Sequence, residues 1–139
     1  RGQVVTFLWR AMGQITPETE ENPFGDVRTK DYFYNPVLWA VENGITTGKT
    51  ATTFEPDEPC TRKQIVTFLW RAAGEPEPES MVNPFTDVKH DRFEKAILWA
   101  YENGITSGVS KDNFGVGQPC TREQVVAMLH NYDKTRRGG

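Results

Sequence analysis

Two arginines stand where an ordinary helix avoids one. The stretch Pro59-Cys60-Thr61-Arg62-Lys63-Gln64-Ile65-Val66 returns as Pro119-Cys120-Thr121-Arg122-Glu123-Gln124-Val125-Val126. Thr61 and Thr121 suit the N-cap, where a hydroxyl accepts from a free backbone N–H, and Gln64 and Gln124 can reach back to complete a capping box. Cys60 with Ile65, and Cys120 with Val125, are spaced as hydrophobic staples. Arg62 and Arg122 then fall at the first helical position, where a cation opposes the macrodipole at a cost of about 0.3–1 kcal/mol. Free N–H groups, the positive end of the dipole and a guanidinium would together bind a carboxylate or phosphate. Pairing of each arginine with an aspartate of its own fold is the structural alternative, and the two readings are compatible.

The remaining reactive residues point away from catalysis and metals. A Cys60–Cys120 disulfide needs Cα atoms within about 7 Å, and repeated elements usually hold equivalent points farther apart, so both read as small apolar residues beneath a helix start. Neither has a second Cys or a His at zinc-ligand spacing, and no cofactor is expected. His90 falls in a turn, and His130 aligns with Trp9 and Trp70 at a packing position. Neither histidine has a Ser or Cys partner suggested by spacing, so the chain is not read as an enzyme. In 139 residues the formal net charge is −3 and the lysines and arginines are scattered, which argues against nucleic acid. No apolar run approaches the roughly 20 residues of a membrane span, and membrane insertion is not expected. Hydrophobic residues at 37% and aromatics at 12% predict a folded chain.

The elements that must position these residues repeat as well. Arg1 to Gly13 and Arg62 to Gly74 read nearly the same, so the chain opens on a third copy of the capped helix without its threonine, as a fragment of a longer protein would. Val4, Phe7, Leu8 and Ala11 form one face, as do Ile65, Phe68, Leu69 and Ala72, then Val125, Met128, Leu129 and Tyr132. Three such stripes predict a central helical bundle. Residues 14–21 and 75–82, rich in Pro and Glu, read as solvated linkers after the helix stops Gly13 and Gly74. Asn22-Pro23-Phe24-Gly25-Asp26-Val27 and Asn83-Pro84-Phe85-Thr86-Asp87-Val88 read as tight turns in which Asp26 and Asp87 accept local N–H groups, with ligand contact the alternative.

A second helix follows in each unit, and in the first Asn35 is expected as its cap with Pro36 at its first position. Gly44 and Gly104 are placed for a left-handed C-cap, with Ile45 and Ile105 supplying the hydrophobic contact. Trp99 lies off the stripe of Phe93, Ala96, Ile97, Ala100 and Tyr101, so it either lines a groove or covers a second packing contact. Residues 133–139 read as a disordered tail.

The order Phe-x-Asp-Val, Trp-Ala-x-Glu-Asn-Gly-Ile-x-x-Gly, Phe-x-Pro and Pro-x-Thr-Arg-x-Gln resembles the S-layer homology (SLH) domain. On that resemblance residues 1–13 are the last helix of a truncated first module, 22–74 the second module and 83–132 the third. It implies an all-α fold of two main helices per module, packed as a pseudo-trimer around a central helical bundle with grooves between neighbours. It also implies non-covalent anchoring of a surface protein to the wall or S-layer outside a bacterial cell. The implied partner is an anionic, often pyruvylated, secondary cell-wall polysaccharide.

Carried over by position, the family's glycan contacts fall on Arg1, Arg62 and Arg122, on Asp26 and Asp87, on Trp39 and Trp99, on Gly48 and Gly108, and on Gln64 and Gln124. Gln64 and Gln124 replace the motif's glutamate, Lys63 and Glu123 replace a small residue, and Phe114-Gly115-Val116 departs from Phe-x-Pro. With most of a first module absent, at least one groove is expected to be incomplete. A protein-interaction or self-assembly module of a bacterial surface protein, binding other surface proteins, is the competing reading.

Overall fold

The computed structural model describes residues 2–19, 21–89 and 93–138, and of Arg122 and residues 135–138 the backbone only. Arg1 and His90 therefore lie outside the described residues, as does the side chain of Arg122. The described residues form five helices, α1 (Gly2–Ala11), α2 (Tyr34–Glu42), α3 (Arg62–Ala72), α4 (Glu94–Glu102) and α5 (Arg122–Gly138), and one isolated antiparallel bridge. The fold is all-α, as expected. None of these helices is long and apolar enough to cross a membrane.

By internal contacts the chain divides into two compact units, Arg1–Pro59 and Cys60–Gly139. Their phase differs from that of the repeats read in sequence, because a capped helix pairs with the second-type helix that follows it: α1 on α2, and α3 on α4. In the first unit Val4, Val5 and Leu8 of α1 are buried, as are Val37, Leu38 and Trp39 of α2. In the second, Ile65, Val66 and Leu69 of α3 are buried, as are Ile97, Leu98 and Trp99 of α4. Tyr132 of α5 closes on Trp99, with ring centroids 6.2 Å apart.

Local chemistry explains the helix limits. Thr61 Oγ1 accepts from Gln64 N while Gln64 Oε1 accepts from Thr61 N, the expected capping box on α3, and Thr121 with Gln124 repeats it on α5. Gly44 (φ 72°) and Gly104 (φ 70°) end α2 and α4 in the left-handed conformation, and Ile45 N–H and Ile105 N–H return to the carbonyls of Ala40 and Ala100. This is the Schellman stop the sequence predicts.

Two expectations are corrected and a third is extended. Helix α2 starts at Tyr34 behind Phe33 with no side-chain cap, so Asn35 and Pro36 lie inside its first turn. Pro36 is tolerated there because first-turn N–H groups have no helical partner to lose. The linkers are largely exposed, as expected, but are pinned as well: Trp9 Nε1–H donates to Ile15 O and Trp70 Nε1–H to Pro76 O, while Glu42 takes the N–H groups of Glu18 and Thr19 and Glu102 those of Glu79 and Ser80. Finally, α5 runs on to Gly138 across the expected tail. No Gly or Pro interrupts Asn131 to Arg137, and basic residues suit a helix C-terminus.

Gly48 tests how tightly the loops are set. Its φ is 93° and a Cβ there would stand 2.4 Å from Phe24 Cε1, whereas Gly44 has open space around it. Gly48→Ala is expected to cost about 2–4 kcal/mol, against about 1–2 kcal/mol of backbone strain for Gly44→Ala. Chemical denaturation of the two variants beside the parent checks the order, and equal losses would mean that Phe24 moves aside freely.

Candidate functional site

The loop that receives each capped helix is held by the repeated aspartate. Asp26 accepts from the N–H groups of Phe54 (2.9 Å) and Glu55 (2.7 Å), and Asp87 from those of Phe114 (2.8 Å), Gly115 (2.8 Å) and Val116 (3.3 Å). The carboxylates therefore tie down a distant loop rather than their own turn. Within those turns Asn22 and Asn83 do the local work, bonding Phe24 N and Val27 O, and Phe85 N and Val88 O. Burial alone would raise the Asp87 pKa, but the three loop N–H donors outweigh it and hold the carboxyl below its ordinary value.

Arg62 threads from the start of α3 onto this loop. Its residue is 4% exposed, Nε–H donates to Phe114 O at 2.8 Å and an Nη2–H to Thr106 Oγ1 at 2.9 Å. The guanidinium carbon sits 4.9 Å from the centroid of the Phe114 ring. Burial lowers its pKa from the ordinary value, opposed by Cys120 and Asp87, and an arginine so placed stays charged. Among the described residues it forms no ion pair, and the Nη1 donors and the second Nη2–H have no protein acceptor. The alternative of a direct ion pair with an aspartate is thus not realised at Arg62, which Asp87 influences only through space.

The departure at Phe114-Gly115-Val116 is part of the same arrangement: Val116 donates its N–H to Asp87, as a proline could not, and Gly115 beside it makes room for the arginine. Gly115 has φ 85°, and a Cβ on it would lie 2.9 Å from Val109 Cγ1 and 3.2 Å from Arg62 Cδ. Glycine supplies both the left-handed conformation and the room for the arginine stem. Glu55, the matching residue of the first unit, adopts φ 59° without that relief.

Arg62 lines a cavity of about 340 Å³ within the second unit. The loop after α4 contributes Thr106, Ser107 and Gly108, and α5 contributes Gln124, Met128 and Asn131. Gln124 uses Oε1 for its cap, leaving its amide donors without a partner among the described residues. The volume lies within the roughly 300–1,000 Å³ of small-ligand sites, and the mixture of donors with Met128, Ile105 and Tyr101 suits a polar ligand bearing an anionic group and an apolar edge.

Of the residues carried over from the resemblance, Arg62, Gly108 and Gln124 line this cavity. Asp26, Asp87 and Gln64 hold backbone instead, and Gly48 packs against Phe24. Trp39 and Trp99 are only 4% and 6% exposed, so both are packing residues. The N–H groups of Arg62, Lys63, Gln64 and Ile65 all find acceptors, in Gln118 O, Val116 O, Thr61 Oγ1 and Thr61 O. The anion site envisaged at the α3 N-terminus therefore rests on the guanidinium alone. Sequence reasoning missed Thr106, Met128 and Asn131; Thr106 carried a signal, since it repeats Thr46 before a glycine with positive φ.

Comparison with known proteins places these features. The family model of the S-layer homology domain matches residues 23–66 and 84–126. An endoglucanase of Bacillus sp. (strain KSM-635) is 36% identical over 115 residues, 81% of this chain and 12% of that protein. The surface-layer 125 kDa protein of Lysinibacillus sphaericus is 29% identical across 97% of this chain and 12% of its own length. A cell surface protein of Thermoanaerobacter kivui is 44% identical over 48 residues, 34% of this chain and 6% of that protein. The chain thus spans about an eighth or less of the relatives it matches.

A pH dependence follows from Asp87. With its folded-state pKa depressed below the unfolded value of 3.8, it stabilises the second unit above that value and ceases to do so as pH falls through the lower, folded one. Asp87→Asn should lower the thermal midpoint near neutral pH and flatten its fall below about pH 4, where protonation disarms the parent as well. Parallel acid-side melting curves for parent and variant would refute the assignment.

Proposed function

The chain belongs to the S-layer homology domain family, and we propose that it anchors a surface protein non-covalently to a bacterial cell wall by binding an anionic secondary cell-wall polysaccharide. One observation carries the reading: Arg62 is a buried cation that forms no ion pair among the described residues, Asp87 acting on it only through space, and it lines the cavity with donors unused. A buried charge with no direct ion pair is expensive, so an anion from outside that contacts the guanidinium adds to the stabilisation that Asp87 supplies at a distance. A carboxylate fits the planar fork of guanidinium donors, and Ser107 and Gln124 offer neutral partners for sugar hydroxyls. A pyruvate ketal on a sugar combines such a carboxylate with an apolar methyl group.

Names borne by the relatives support the setting, since one is a surface-layer protein and another a cell surface protein. The endoglucanase aligns with a module that here holds no group of three or more metal-ligating side chains among the described residues, and no catalytic role is proposed. Location outside the cell at the wall or S-layer, and the pseudo-trimeric arrangement of modules, belong to the same proposal. Within it Arg62, Gly108 and Gln124 carry the second unit's site, and Arg1 and Arg122 are the cations at the matching positions of the other two repeats in sequence.

The reading is tested by co-sedimentation with purified cell walls before and after chemical removal of the secondary polysaccharide. Binding should vanish with the polymer. Arg62→Met, which keeps an apolar stem and removes the charge, should weaken binding by roughly 10- to 100-fold, the value of a charged hydrogen-bonding contact. Retained helicity shows that the fold survives. Binding indifferent to Arg62→Met but lost on replacing the exposed Met81 and Val82 would overturn the glycan reading in favour of protein interaction.

A further inference from the structure

Cys60 and Cys120 occupy equivalent points of the two repeated stretches, and distance was the argument against joining them. The structure removes that argument. Thr61 and Pro119 face each other in an antiparallel bridge, Cys120 N–H donates to Cys60 O at 2.9 Å, and Arg62 N–H donates to Gln118 O at 2.9 Å. In this register Cys60 stands directly opposite Cys120. Opposed residues at a hydrogen-bonded position lie about 5.5 Å apart at Cα and send their Cβ atoms to the same face. A disulfide accepts Cα separations of about 4.4–6.8 Å. Its Cβ atoms sit closer than those of such a pair by about 1 Å, a shift that an isolated bridge, free of sheet neighbours, can absorb.

We propose that Cys60 and Cys120 are a redox-active thiol pair that closes to an intrachain disulfide, clasping the start of α3 to the start of α5. Neither cysteine is in a disulfide in this structure. Closure would fix the spacing of two walls of the Arg62 cavity, since α3 carries Arg62 and α5 carries Gln124, Met128 and Asn131. The oxidant is a low-molecular-mass disulfide, R–S–S–R. Cys120 is half-buried and Cys60 is 4% exposed, so exchange begins at Cys120. Its thiolate attacks one sulfur of the oxidant, forming Cys120–S–S–R and releasing RS⁻. The Cys60 thiolate then attacks Cys120 Sγ and expels the second RS⁻. Two thiol protons and two electrons leave the protein, and two RSH form. Burial pushes the Cys120 thiol above its ordinary pKa, with Arg62 pulling the other way, so exchange accelerates as pH rises.

The experiment treats the whole chain with oxidised glutathione at mildly alkaline pH and follows intact mass, free thiols after denaturation, and melting. The expected product is a monomer lighter by two thiol hydrogens, yielding one proteolytic peptide pair joined through Cys60 and Cys120. Its thermal midpoint should rise by roughly 10 °C and return on reduction, because a cross-link closing a loop of this length restrains the unfolded chain strongly. Cys120→Ser should show no such rise. Stable glutathione adducts on both cysteines, a disulfide-linked dimer, or two thiols still free after prolonged treatment would each overturn the proposal.

Discussion

The clamp of one aspartate on the backbone of a loop some thirty residues away is the constraint on which the rest depends. Asp26 and Asp87 each present both carboxylate oxygens to consecutive N–H groups, a charge-assisted contact stronger than ordinary backbone pairing. Phe54 and Phe114, held by those bonds, are fully buried, so the clamp also seats the largest fully buried side chain of each unit. The clamped loop then becomes the dock for a capped helix. Gly2 N–H reaches Pro56 O in the first unit, and Lys63 N–H reaches Val116 O in the second. The same clamp turns Phe114 O toward Arg62 Nε–H. Remove the carboxylate and the loop, the helix dock and the orientation of the guanidinium lose a common support.

What the sequence made legible was local. Capping boxes, Schellman stops and amphipathic stripes are written within a few residues of one another, and Thr61 with Gln64, Thr121 with Gln124, and Gly44 with Ile45 could each be read without knowing the fold. The aspartates illustrate the limit. Asp26 sits in a short turn with proline and glycine nearby, and local chemistry offered it local donors. Asn22 took those donors, leaving Asp26 for a loop that sequence distance hides. Trp9 and Trp70 likewise look like core residues, yet each uses its indole N–H to hold a linker.

The distance argument about the cysteines fails for the opposite reason, although neither is in a disulfide here. Repetition suggested that equivalent points are kept apart by the repeat spacing, which holds for elements stacked in regular array. Here the two segments entering α3 and α5 run antiparallel and meet at Thr61 and Pro119. Pro59 and Pro119 favour the extended backbone that such a meeting requires before each helix begins. Equivalent positions in sequence thus became opposed positions in space.

Arg62 shows how magnitudes reorder an argument. Its place at the first position of a helix suggested function through an unfavourable dipole term of about 0.3–1 kcal/mol, which is small. Burial is the larger effect, since withdrawing a guanidinium from water costs several kcal/mol even after relaxation. Two neutral acceptors, the Phe114 carbonyl and the Thr106 hydroxyl, recover part of that cost, and the Phe114 ring adds a cation–π contact. Neutral acceptors cannot cancel the charge. The residue is held in a fixed pose by the clamped loop, kept charged by its high intrinsic pKa, and left lining a cavity with donors to spare. Such a group attracts an anion with little reorganisation on arrival, because its orientation is set before the ligand comes. The helix dipole that first singled out Arg62 plays little part: the N–H groups through which it would act are already bonded within the protein.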